Sequence, residues 1–147
     1  MSYKFREANY DERQTAVRGR AFKCAYGTLL VALLLYAVTD GLWNWCVPLT
    51  GCVAAITASM VPFAWVSIRN EAYWWTNTSR KSQYVVFALL GLMNLGLALS
   101  SWLRGDLIVD GVLQIAGANL MLGCVFIYVF AVAIIHRALL RRDGEDE

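Results

Sequence analysis

The sequence predicts an all-α integral membrane protein: a bundle of four transmembrane helices running up-down-up-down, with both termini in the cytoplasm. Three observations carry this expectation. Apolar residues make up 59% of the chain and charged residues 16%, against about 45–50% and about 25% in soluble proteins. The apolar residues gather in four charge-free blocks, of 16 residues after Lys23, 28 after Asp40, 22 after Lys81 and 26 after Asp110. Lys and Arg fall on one side of these blocks, with twelve of the 13 on one flank and only Arg104 on the other.

A helix crosses about 30 Å of hydrocarbon with about 20 residues, since each rises about 1.5 Å. The last three blocks meet that length directly. The first is shorter, but Lys23 can extend its ammonium toward water and the helix can continue past Asp40 to Trp43. A soluble bundle would carry a polar stripe at helical spacing, and neither Leu29–Val38 nor Leu120–Ile135 has one. The expected spans are 24–42, 49–68, 84–103 and 111–135, forming a single domain with a basic cytoplasmic segment, 1–23, and a cytoplasmic tail, 136–147. Tight turns are expected around Asn44–Pro48 and Arg104–Asp110, and a longer loop over Arg69–Gln83.

Met1–Lys23 reads as a retained flank, because its six basic residues precede an apolar run that ends at Asp40, Trp43 and Trp45, not at a small-residue cleavage site. Cytoplasmic flanks retain Lys and Arg, so the basic side is the inner one. Trp43, Trp45 and Trp102 mark the outer interface, and Tyr26, Trp65, Tyr73, Trp74, Trp75 and Tyr84 the inner. Pro62 lacks a backbone donor and is expected to kink or loosen the second span near Ala58.

Polar residues on the cytoplasmic side are the expected docking set: Asp11, Glu12, Arg13, Arg18 and Arg20 before the first span, and Glu71, Tyr73 and Trp74 in the central loop. Basic residues at a first span also serve orientation and anionic lipid. Within the bilayer, Asn94 and Asn119 are expected to face other helices and hydrogen-bond to each other, to Thr57 or to Ser59. With Gln114 they could instead line a solute path. Gly51, Ala55 and Ser59 recur every four residues, and Gly91, Gly96, Gly117 and Gly123 open close-approach surfaces. Asp40, Asp106 and Asp110 form a mildly acidic outer rim, suited to turns or to attracting cations at a pore mouth.

Catalysis finds little support. No nucleophile elbow, His-Glu-x-x-His or phosphate loop is present, and the single histidine, His136, is expected to extend toward the headgroups. The four cysteines show no Cys-x-x-Cys spacing, so neither a metal nor another cofactor is expected. They read as small buried hydrophobes, with a Cys46–Cys52 bridge open to them. The partners expected are the lipid bilayer, a second copy, or a cytoplasmic or membrane protein, with no nucleic acid.

The order Asp11-Glu12-Arg13-Gln14, Arg18-Gly19-Arg20-Ala21, four apolar spans and Glu71-Ala72-Tyr73 between the second and third resembles a group of uncharacterised four-span membrane proteins of Gram-positive bacteria. Glu71 departs from the group's pattern, which carries Asp there. The resemblance implies a bacterial plasma membrane location and a tight bundle, and it transfers no reaction or catalytic residue. Together these features predict a non-enzymatic partner-binding or regulatory scaffold. The alternative is a small oligomeric transporter or channel for a small solute or cation.

Overall fold

The computed structural model describes residues 12–70, 72 and 80–143. They form α1 (Glu12–Trp43), α2 (Pro48–Arg69), α3 (Arg80–Leu103), β1 (Ile108–Val109), β2 (Val112–Leu113) and α4 (Ala116–Asp143). All four helices are long and apolar enough to cross a membrane. α1 runs without a break through Lys23 and stops at Asn44, whose backbone is left-handed (φ 45°) and whose N–H bonds the Asp40 carbonyl at 2.7 Å. Pro48 then opens α2 at a position where its fixed φ suits the helix and its missing donor costs nothing. Pro62 leaves the Ala58 carbonyl without its helical donor, yet α2 continues unbroken to Arg69.

The fourth span needs a correction. Its helix begins at Ala116, and Gly111 belongs instead to a hairpin. Asp110 and Gly111 both have positive φ, at 50° and 79°, which is the backbone that a two-residue turn between twisted strands requires. The strands pair antiparallel, Ile108 with Leu113 and Val109 with Val112.

The helices pack as a row, α1 on α2, α2 on α4 and α4 on α3. α1 and α2 are antiparallel: Phe22 meets Phe63 with ring centroids 4.8 Å apart, and Tyr36 covers Gly51. α3 and α4 are also antiparallel, with Ile127 over Gly91 and Leu95 over Gly123. α2 and α4 run side by side in one direction, from Thr50 and Gln114 to Ile68 and Ala133. A Cβ on Gly123 would sit 2.7 Å from the Leu95 side chain, so glycine sets how closely these two helices approach.

Gly51, Ala55 and Ser59 are buried together along α2. Such small surfaces let backbones approach until dispersion contacts form. Gly96 differs from the expectation, because nothing lies within 4 Å of where its Cβ would be. The apolar core proper is Ala64, Ile68, Val129, Val132 and Ala133, flanked by Tyr84, Phe87 and Tyr128. It sits toward the Arg69 end of the row. Outside these seams the helices present Leu, Val and Ile outward, and Leu103 is 80% exposed. An apolar surface of that extent is suited to hydrocarbon and not to water.

Candidate functional site

At the hairpin end, short-range chemistry ties distant segments together. The α1–α2 connection adds to the hairpin: Val47 N–H donates to the Leu113 carbonyl at 2.9 Å and Leu113 N–H to the Trp45 carbonyl at 2.8 Å. Thr50, fully buried, donates its hydroxyl to the Gln114 carbonyl at 2.9 Å. The Gln114 side chain turns back on its own strand and donates to the Val112 carbonyl at 3.1 Å. Gln114 is therefore part of the cap that joins the two helix pairs. Thr50 was not singled out in the sequence, since one threonine at a helix start carries no spacing signal.

The acidic residues of this end do not converge. Asp40 accepts a long hydrogen bond from the Tyr36 hydroxyl, at 3.5 Å. Asp106 pairs with Arg104 at 3.3 Å, both about two-thirds exposed (66% and 65%), which makes the pair a weak tie. Asp110 occupies the exposed hairpin tip. Among the described residues no group of three or more His, Cys, Asp or Glu side chains is placed to hold a metal. All four cysteines are free, and only Cys46 is buried; Cys24, Cys52 and Cys124 lie exposed on helix surfaces, contrary to the buried expectation. Burial pushes the Cys46 thiol pKa up, and nearby Asp40 and Cys52 act in the same direction. The thiol is thereby kept protonated and a poor nucleophile.

Along the spans Asn94, Thr57 and Ser59 bond to their own helices, whereas the Tyr128 hydroxyl of α4 donates across to the Val61 carbonyl of α2 at 3.3 Å. Asn94 is buried and donates to the Leu90 carbonyl at 2.8 Å, one turn back. Thr57 donates to Val53 and Ala54, and Ser59 to Ile56. The expected interhelical bond from Asn94 to Asn119, Thr57 or Ser59 is absent, its amide donating instead to the carbonyl one turn back in its own helix. Asn119 is half-buried, and its side chain hydrogen-bonds to none of the described residues.

The docking set is split. Asp11, Glu71, Tyr73 and Trp74 lie outside the described residues. Glu12, Arg13 and Arg20 are exposed on the first turns of α1, and Arg18 is half-buried there, next to the buried helix face at Ala21.

The Arg69 end holds a grouping that was not expected. Trp65 and Arg69 of α2 and Val132, Ile135, His136 and Leu139 of α4 line a groove of about 150 Å³. His136 does not extend freely toward the headgroups. It is half-buried against α2, and its Nε2 is buried with no hydrogen-bond partner among the described residues. Sequence spacing could not reveal this, since Arg69 and His136 lie on different helices.

No protein-family model, curated protein or solved structure matches the chain. Its class therefore rests on its own geometry: four helices compatible with a multi-pass membrane protein.

Proposed function

We propose that this chain is an integral membrane protein of a bacterial plasma membrane. Its four helices span in up-down-up-down order, with both termini and the Arg69 end in the cytoplasm and the hairpin cap outside. It acts without catalysis, as a scaffold that binds or regulates a partner through the exposed cytoplasmic turns of α1. One observation carries the non-transport reading: Asn94, Thr57 and Ser59 each donate to a carbonyl of their own helix. Polar groups bonded in this way offer a passing solute few open donors or acceptors. The charge bias of twelve Lys and Arg against one supports the orientation.

Topology is tested by alkaline phosphatase fusions. Activity is expected at Asn44 and Gly105 and none at the C-terminus; the reverse pattern inverts the assignment. The scaffold role is tested by replacing Asp11, Glu12 and Arg13 together with alanine and comparing cross-linked partners in intact cells. Loss of a specific partner at unchanged protein level is expected. An unchanged set of partners counts against the role.

A further inference from the structure

The groove between α2 and α4 at the Arg69 end combines features of opposite character. The Arg69 guanidinium lies over the Trp65 ring, 5.5 Å from its centroid. Stacking holds the guanidinium plane while leaving its edge N–H donors available. His136 adds a buried Nε2 with no partner among the described residues. On the bilayer side of these two groups Trp65 of α2 and Val132 and Ile135 of α4 form an apolar wall, while Leu139 lies one turn beyond His136. Ile135 remains more than half exposed, so the apolar track opens sideways.

The end of α2 would ordinarily repel an anion through its free carbonyls. Here part of that end is covered. The Val66 carbonyl accepts from the backbone and side-chain N–H of Asn70, and the Ser67 carbonyl accepts from Ala72 N–H at 2.8 Å. A cation thus stands at the mouth of an apolar channel with the unpartnered His136 nitrogen behind it, and that pairing fits one molecule with an anionic head and a hydrocarbon tail.

We propose that this groove binds an anionic phospholipid, its phosphate against Arg69, the His136 side chain turning its unpartnered Nε2 out to meet it, and one acyl chain along Trp65, Val132 and Ile135. The proposal rests on the membrane-spanning reading above, with the Arg69 end at the headgroup level. A soluble anion is a poorer fit, because two donors replace little of its hydration while the other walls are apolar. The groove holds a phosphate and the start of a chain, and its sideways opening lets the remainder run into the bilayer.

The test is native mass spectrometry of the purified full chain in detergent, titrated with phosphatidylglycerol, phosphatidylcholine and inorganic phosphate. Phosphatidylglycerol is expected to bind about tenfold more tightly than phosphatidylcholine, whose choline cation offsets the same phosphate charge and is repelled by Arg69. Arg69→Gln and His136→Ala should each erode that preference, whereas Arg137→Gln, at the same end but outside the groove, should keep it. Ile135→Trp fills the track and spares both donors, and it should also abolish the preference; its exposed position keeps it informative if a donor variant fails to fold. Equal binding of the two lipids, or equal loss with Arg137→Gln, overturns the proposal. So does displacement of the lipid by inorganic phosphate at similar concentration, which would mark a free-anion site. Alkaline carbonate extraction separates the two readings: a chain released from membranes defeats the spanning reading, while a retained chain that binds both lipids equally defeats only the lipid site.

Discussion

The two ends of the helix row meet their polar requirements in different ways. At the hairpin end the backbone is tied by long-range bonds: Trp45, Val47 and Thr50 bond to Leu113 and Gln114, and the left-handed backbone at Asp110 and Gly111 closes the strands, leaving Asp40 Oδ1 as a buried acceptor without a partner among the described residues. At the Arg69 end an apolar cluster does the packing, Arg69 stacks on an indole, and His136 Nε2 has no partner among the described residues. One end is tied by long-range hydrogen bonds and the other leaves a cation beside an apolar track. A hydrogen-bonded cap suits a structural role, and an exposed cation beside an apolar track suits a ligand. The contrast places binding chemistry on the side that the basic residues also favour.

The sharpest way to break this contrast is at Gly51. Any Cβ there would enter the Tyr36 ring, so Gly51→Val should force α1 and α2 apart. The expected loss is about 3 kcal/mol, the upper part of the range for overpacking, read as a lower midpoint in a dodecylmaltoside–SDS titration. Gly27 is the control, with nothing within 4 Å of its Cβ position. Gly27→Ala should be neutral or stabilising by up to about 1 kcal/mol through helix propensity. If the two variants behaved alike, the α1–α2 seam would not depend on the close approach of Tyr36 to Gly51.

The cap itself is tested at Thr50 and Gly111. Thr50→Val keeps the shape and removes the bond to the Gln114 carbonyl, at an expected cost of about 1–2 kcal/mol. Gly111→Ala places a Cβ on a backbone with φ 79°, for about 1 kcal/mol. Both losses should appear in the same titration, together with faster amide exchange at Val47 and Leu113. Exchange that quickened instead around Ile68 and Ala133 would show that the cap supports the whole row and not one end of it.

Much of this division was legible in the sequence, and the exceptions have physical causes. Charge-free blocks revealed four helices because hydrocarbon excludes charge over a fixed length. The start of the fourth was misplaced because Val112 and Leu113 prolong an apolar run. Yet Ile108-Val109 and Val112-Leu113 around Asp110-Gly111 carry the hairpin signal in full. Thr50 and His136 escaped for another reason. Each acquires its role from a segment more than sixty residues away, and neither periodicity nor spacing encodes that meeting.

The smallest expected effect is at Asn94, and it separates the scaffold from a transporter. Asn94 is buried but spends its amide donor on Leu90, within its own helix. Removing both partners' need for water leaves little to lose: the Leu90 carbonyl keeps its helical N–H, and leucine fills similar space. Asn94→Leu should therefore shift stability by less than about 1 kcal/mol. Asn119 is the stricter case, since it is half-buried without a partner among the described residues, as a path-lining amide would be. If the double variant Asn94→Leu, Asn119→Leu abolished a solute flux shown by the unaltered protein in liposomes, the interior would be a pathway. Absence of flux in the unaltered protein, with the double variant equally well folded, is the outcome expected of a row of helices whose spans were selected to pack.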